Sequence, residues 1–537
     1  MVARGWKGAA LALAVALGAS ACSSASGSSG SGAALEEMVF AIDSPTVGFD
    51  PNVTPAAQDA RVMRQVFDGL VSKDENGKIV ASLANEWNVS DDGLKYTFKL
   101  KDGVKFHDGS DFNAEAVCFN FDRIKKPETG SRYAISLIGP YASCKATDAS
   151  TAEVTMGAKY APFLSILTSP FLGMVSPTAV QKMGAEAFNL KPSGTGAFKL
   201  VEYTPMSQIV LERNEDYNWA PASAKHQGKA HLKKITFQIV ADPTVRLGSL
   251  KTGRIQAMSN VPETEAETTK KNKDLVFVAQ PQSGSPFQLY FNQQKGPFKE
   301  LAVRQAFVQA VDVPTIVKSL YFGVYQQASG NLSSTTPGYD ETLKDKSPYD
   351  EAKAAALLEQ AGWKKGADGV RVKDGKRLSI TYVESSPNRE KRQDIATFVK
   401  GYLEKVGFEV NISLLQVAPL TAATQNGQYD VVGLSLVNVD PNVMWSILGS
   451  PFQPSPKKSG FNFPHVTTFD DKLKAAQSEM DEAKRLEMYK ALQQEVADQA
   501  ISLPIYVPTY TMATRDIEGL RFDAEGYPVF FDVKGKA

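Results

Sequence analysis

The chain is poor in the residues that carry most catalytic and metal chemistry: of 537 residues, 3 are cysteine, 4 are histidine and 5 are tryptophan. The histidines, His107, His226, His231 and His465, form no spaced ligand set of the kind metal sites use. Neither a Gly-x-Ser-x-Gly elbow nor a His-Glu-x-x-His helix is present, so serine-hydrolase and zincin chemistry both lack their usual framework. Net charge is missing too. The 59 basic residues balance the 59 acidic ones, which leaves no global field to draw in nucleic acid or an acidic membrane surface. After residue 21 no apolar run is long enough to span a bilayer as a helix.

What is present is an ordinary globular composition, 43% hydrophobic and 22% charged, with length for roughly three domain-sized units. The first residues read as an export signal over 1–21: Arg4 and Lys7 precede the apolar stretch Ala9 to Leu17 and the small residues Gly18 to Ala21. Cys22 follows at once, where a lipoprotein peptidase cuts and a diacylglyceryl group is added to the thiol. Lipidation of Cys22 is therefore expected, with ordinary secretory cleavage as the alternative. Residues 22–34 are almost all Ser, Gly and Ala, a tether whose r.m.s. reach is roughly 20 Å. The expected location is the outer face of the cell membrane, periplasmic or cell-surface, held by the lipid alone. Cys118 and Cys144 remain, and in an exported protein they are either a disulfide or two buried thiols.

Periodicity then supplies elements. From Ala81 to Gly109, Trp87, Val89, Tyr96, Phe98, Leu100, Val104 and Phe106 alternate with polar residues, and three Asp-Gly pairs supply turns, which predicts an antiparallel meander. A helix capped by Asn113 carries Val117, Phe121 and Ile124 on one face. Strands are predicted at Ile209–Arg213 and Ile235–Val240, and helices at Pro243–Gly253, Leu301–Val311 and from an Asp350 cap to Gln360. A helix bearing Ile395, Val399, Tyr402 and Val406 stops at Gly407. The strand Phe408–Leu415, a short helix from Pro419 and the strand Tyr429–Val437 then predict a β-α-β unit with a parallel pair. One long helix is expected from Asp470 to Ala500. The fold class is α/β in two lobes, the chain crossing near Pro281 and returning near Pro504.

The segment Leu83-Ala-Asn-Glu-Trp-Asn-Val-Ser-Asp-Asp-Gly-Leu-Lys-Tyr-Thr-Phe-Lys-Leu-Lys-Asp-Gly-Val-Lys-Phe-His-Asp-Gly strongly resembles the signature of the family-5 extracellular solute-binding proteins, which include dipeptide-, oligopeptide- and nickel-binding proteins. The resemblance continues through Phe67-Asp-Gly-Leu-Val, Gly194-Thr-Gly-Ala-Phe-Lys-Leu, Glu212-Arg-Asn-Glu-Asp-Tyr, Arg304-Gln-Ala-Phe, Tyr349-Asp-Glu-Ala-Lys-Ala and Tyr429-Asp-Val-Val, covering nearly the whole chain after the tether. It implies a pear-shaped, two-lobed protein of the periplasmic-binding-protein type with an extra subdomain on the first lobe and a hinge between lobes. The corresponding limits are 35–284 for lobe I, with the subdomain at about 75–190, 285–504 for lobe II, and 505–537 for a return to lobe I. It also implies capture of a peptide or similar small solute for an ABC permease and its ATPase. No cofactor and no enzymatic activity are expected, and the protein is expected to be a monomer.

Hinged lobes gain closure energy only from a ligand that touches both faces. In open α/β sheets the ligand crevice lies beyond the carboxyl ends of the strands, which points to Val437, Asn438, Asp440 and Trp445 after the last parallel strand. In peptide-binding members that this chain resembles, the loop carries an Asp that pairs with the peptide ammonium three positions before an Asp-Pro pair; here Asp440-Pro441 is the pair and Val437 stands at the anchor. Phe49 and Asp50 are further candidates in a family-like Gly-Phe-Asp-Pro stretch, as are Tyr506 and Tyr510 after the last helix, and Phe287 and Tyr290 near the hinge. His107 reads as a turn or packing residue. The alternatives are a nickel, metal-chelate or sugar binder of the same fold and, more remotely, a secreted hydrolase.

Overall fold

A computed structural model describes residues 35–346 and 348–536; the expected signal peptide, the tether and Cys22 lie outside them. The first lobe is built on a seven-stranded sheet whose order is Val276–Pro281, Thr509–Thr514, Ala257–Ser259, Glu37–Ile42, Lys234–Ile239, Gln208–Arg213 and Phe198–Thr204. Glu37–Ile42 runs parallel to both of its neighbours, and the remaining pairs are antiparallel. A four-stranded antiparallel sheet, ordered Ala84–Val89, Lys95–Leu100, Thr151–Met156 and Tyr141–Asp148, shares one hydrophobic core with it.

The second lobe is a five-stranded mixed sheet in the order Glu409–Leu415, Ser379–Ser385, Val431–Val437, Gly284–Phe291 and Ser502–Tyr506. Gly284–Phe291 is buried at every position, as a central strand covered on both faces must be. The chain crosses between the two large sheets twice, at Gln282–Ser283 and at Val507–Pro508, and the Gln282 amide donates to the Pro508 carbonyl at 2.8 Å, tying the crossings together. Gly284 sits directly after the first crossing at φ 111°, and a Cβ there would stand 2.2 Å from the Leu436 carbonyl oxygen. Only glycine fits both constraints.

Local side-chain logic places many elements. Asn113 accepts from the Ala116 amide and caps Ala114–Lys125, and Asp350 does the same for Glu351–Gln360. Helices occupy Pro243–Lys251, Leu301–Ala310 and Arg392–Lys405. A disulfide joins Cys118, in the capped helix, to Cys144 in the four-stranded sheet.

Three expectations need correction. The meander does not extend through Val104 and Phe106: Gly103 and Gly109, both at positive φ, leave too few residues for a ladder, so only a Lys105–Asp111 bridge forms, and Thr151–Met156 pairs with Lys95–Leu100 instead. Glu409–Leu415 and Val431–Val437 are not neighbours, because Ser379–Ser385 lies between them, parallel to both. The last helix is two, Asp470–Ser478 and Glu482–Asp498; Asp481 caps the second by accepting from the Lys484 amide, a bond that competes with continuing the first.

Candidate functional site

Where the carboxyl end of Val431–Val437 meets the first lobe, a cavity of about 80 Å³ is walled by both halves. Pro55 to Ala57, Tyr133, Phe171 and Tyr527 come from the first; Arg389 and Ser435 to Val437 come from the second; Gln282 and Pro508, the crossing residues, also line it. Cavities of about 510 and 540 Å³ also exist, but each is walled from one half alone, and a ligand there has no leverage on closure.

Polar contacts cross the cleft beside this cavity. The Tyr133 hydroxyl donates to the Val437 carbonyl at 2.6 Å and accepts from the Asn438 amide group at 3.0 Å. Tyr160 accepts from Asn442 Nδ2 at 2.9 Å, and the Ala161 amide donates to the Gln477 carbonyl at 2.8 Å. Lys391 of the second lobe pairs with Glu263 of the first at 3.1 Å. Burial pushes the Tyr133 and Tyr160 hydroxyls well above the ordinary phenol range, so both stay protonated.

Arg389 is held by an unusual backbone. Glu390 and Lys391 both adopt positive φ, 49° and 54°, which costs non-glycine residues about 1–3 kcal/mol each. Side-chain anchors offset that strain. The Tyr321 hydroxyl donates to the Glu390 carbonyl at 2.7 Å, Lys391 Nζ donates to the Leu320 carbonyl at 2.7 Å, and the Glu390 carboxylate accepts from Tyr506 at 2.6 Å and Arg392 at 2.7 Å. Burial alone would raise the Glu390 pKa, but Arg389, Arg392 and the Tyr506 hydroxyl outweigh it and keep the group well below the usual carboxylate range.

The residues singled out from sequence fall in several places. Val437 lines the cavity and Asn438 touches Tyr133. Asp440 is buried and spends both oxygens on Arg485, at 2.9 Å each. Tyr506 and Phe287 lie behind the wall: their rings stack at 5.0 Å, and Arg392 sits 4.3 Å over Phe287. Tyr510 carries Arg61 on its ring face at 3.9 Å. Phe49 packs edge-on against Tyr203 inside the first lobe, and Asp50 is buried against Arg123. Tyr290 is enclosed near Ser285, and Trp445 packs against Phe452 and Lys474. None of these last four lines the cavity.

Sequence reasoning missed Tyr133, Arg389, Glu390, Arg392 and Tyr527. Their only signals were local: a Tyr in a Gly-Ser-Arg-Tyr loop, and charges lost in what read as a helix start.

Among the histidines, His107 donates from Nε2 to the Gly196 carbonyl at 2.9 Å, while burial drives its pKa down to about 4, which keeps it neutral. His226 stacks on Phe531 and bonds Asp532 at 2.9 Å. Among the described residues no group of three or more His, Cys, Asp and Glu side chains is placed to hold a metal ion, and no helix is long and apolar enough to cross a membrane.

Comparison with known proteins gives this geometry a setting. Residues 78–455 match the family described as bacterial extracellular solute-binding proteins, family 5 Middle. The glutathione-binding protein GsiB of Escherichia coli O1:K1 is 30% identical over 488 residues, which is 88% of this chain and 89% of the relative. The ABC transporter-associated periplasmic binding protein DppA from Helicobacter pylori, solved with the peptide STSA, is 26% identical with a TM-score of 0.79, covering 93% of this chain and 98% of that one. NikA from Brucella suis, solved with Fe(III)-EDTA, has a TM-score of 0.80 over 93% of this chain and 100% of that one; at 24% identity it speaks to the fold alone. The chain belongs to the bacterial extracellular solute-binding proteins of family 5.

Proposed function

We propose that this chain is the capture subunit of an ABC importer for a short peptide or peptide-like solute, which it encloses between its lobes and hands on chemically unchanged to a membrane permease and its ATPase. The observation that carries the reading is a cavity walled by both lobes and bordered by residues of the two crossing segments. Its volume of about 80 Å³ is small beside the ~300–1,000 Å³ of typical ligand pockets. The halves must therefore part to admit a guest and settle around it. The likeness to glutathione-binding proteins over 88% of the chain makes glutathione the first candidate ligand. Lobe limits at 284/285 and 504/505 belong to the same reading, although the changes of sheet fall at 282–283 and 507–508. So do a subdomain over about 75–190, a lipid anchor on Cys22 outside the cytoplasm, and a monomeric state.

Mass spectrometry of material released by denaturing the purified protein tests it. An intact peptide or glutathione is expected. A sugar or a metal chelate in its place would overturn the peptide assignment, and cleaved products from an added peptide would overturn the binder reading.

A further inference from the structure

The six buried arginines of the described residues, Arg123, Arg246, Arg304, Arg371, Arg392 and Arg485, are all saturated. Arg123 and Arg485 hold carboxylates, Arg246 and Arg304 hold backbone carbonyls, and Arg371 and Arg392 hold both a carboxylate and other oxygens. Arg61 is different. It is half-buried, it makes no ion pair among the described residues, and its Nε is buried without an acceptor. Leaving a cation so situated costs free energy unless something arrives to pair with it.

Its position is fixed from two directions. Ala57, Arg61 and Gln65 follow one another at i, i+4 and i+8 on the helix Ala57–Val66, so they share a face. Ala57 lines the interlobe cavity, and Gln65 is bonded to the Pro528 carbonyl at 2.7 Å and the Phe530 amide at 3.0 Å. Arg61 therefore stands between the cavity and the segment that carries Tyr527. Beneath it is the Tyr510 ring, two residues after Pro508, another cavity residue. Tyr527 lines the same cavity, and its hydroxyl is likewise buried without a partner.

Nearby acids are already engaged. Asp59 accepts from the Val47 amide and the Thr54 hydroxyl, Glu390 is held by Tyr506 and Arg392, and Glu263 is held by Lys391. Glu525 is buried beside Asp523, and burial with that neighbour raises its pKa to about 8, so it is mostly neutral at pH 7.

We propose that the Arg61 guanidinium and the Tyr527 hydroxyl receive a carboxylate of the captured solute, so that the ligand class is a short peptide or amino-acid derivative with a free carboxylate turned toward the first lobe. This rests on the binder reading given above and adds to it an anchor opposite Val437. A guanidinium braced on an aromatic face loses little freedom on pairing and presents two parallel N–H donors to a carboxylate. The phenol adds a third.

The test offers a tripeptide pool that includes Asp and Glu, and a counterpart in which every carboxyl is an amide, to wild-type protein and to Arg61→Gln. Native mass spectrometry reads capture and circular dichroism checks folding. Wild type is expected to retain acids and not amides, and Arg61→Gln to bind the retained acids about 30-fold or more weakly. Equal retention of acids and amides by wild type, or undiminished acid binding by Arg61→Gln, overturns the carboxylate anchor while the binder reading stands. Retention of nothing from either pool overturns the peptide reading and this inference with it. Should Arg61→Gln fail to fold, the acid-against-amide comparison on wild type decides alone.

Discussion

The Tyr133 hydroxyl and the Val437 carbonyl meet at 2.6 Å across the cleft, joining residues 304 positions apart in sequence. The same hydroxyl accepts from Asn438, so one phenol secures the end of the strand that leads into the site. Such a bond exists only while the lobes are together, which makes it a contribution to closure.

Tyr133→Phe removes both contacts and leaves the Val437 carbonyl and the Asn438 amide short of a partner. Each lost bond is worth about 0.5–1.5 kcal/mol, and the loss falls on the closed form. Ligand affinity is expected to drop about 5- to 150-fold by calorimetry, with the X-ray scattering radius of the ligand-bound protein shifted toward the open value. Unchanged affinity would show that the bond is incidental to closing.

Asp440 and Arg485 separate structure from binding. Their paired contacts at 2.9 Å are buried, and removing one partner of a buried pair costs about 3–5 kcal/mol because the other charge is left uncompensated. Asp440→Ala should lower stability to urea by that order. Whatever remains folded should bind ligand within a few-fold of wild type, since both Asp440 oxygens are spent on Arg485 and neither is left for a ligand. Lost affinity at full stability would reverse the assignment.

How far the sequence speaks depends on how local the physics is. Asn113 and Asp350 are legible as caps because cap and capped amide lie three residues apart. Val437 is legible because a ligand crevice follows strand ends. Tyr133 is not, because its partner is brought to it only by the packing of two lobes. Asp440 and Asp50 look like binding groups as sequence, yet each has its own arginine, Arg485 and Arg123, supplied from 45 and 73 residues away. Arg61 lies in an amphipathic helix, and what distinguishes it, the Tyr510 ring from the far end of the chain and an Nε without an acceptor, comes only with the packing.

Half-buried His107 and buried Glu525 impose opposite pH slopes. His107 is held neutral, with its pKa down to about 4, so between pH 6.5 and 4 the unfolded chain takes up a proton that the folded one refuses. Stability is present above about pH 6.5 and is lost as pH falls, by up to about 3 kcal/mol. Glu525, raised to about 8, keeps its proton in the fold where the unfolded chain gives it up, so stability falls as pH rises from about 4.5 to 8. Urea titrations across pH 4 to 9 should show His107→Gln flattening the acid side and Glu525→Gln flattening the neutral-to-alkaline side. Unaltered profiles would mean that neither group is perturbed.

The disulfide between Cys118 and Cys144 closes a loop with a sequence separation of 26. On the chain-entropy model that is worth about 3–4 kcal/mol. Cys118→Ser with Cys144→Ser should lose stability of that order to urea while keeping ligand affinity, because neither residue lines the cavity. A double variant as stable as wild type would mean that the bond is not formed in the folded protein.

Val437 offers the sharpest test of how a peptide amino terminus is held. Its position presents a backbone carbonyl and a neutral side chain, and the neighbouring wall contributes Arg389, a cation that repels an ammonium. N-acetylating a bound peptide should therefore change wild-type affinity less than about tenfold. Val437→Asp places a carboxylate where an ammonium can reach it, and a close charge pair in a desolvated cleft is worth about 2 kcal/mol or more. The variant should then prefer free over acetylated peptide by about 30-fold. Calorimetry on the peptide recovered from the protein, with and without its acetyl group, reads both effects. A steep loss on acetylation in wild type would place an acidic partner at the amino terminus and refute the neutral anchor.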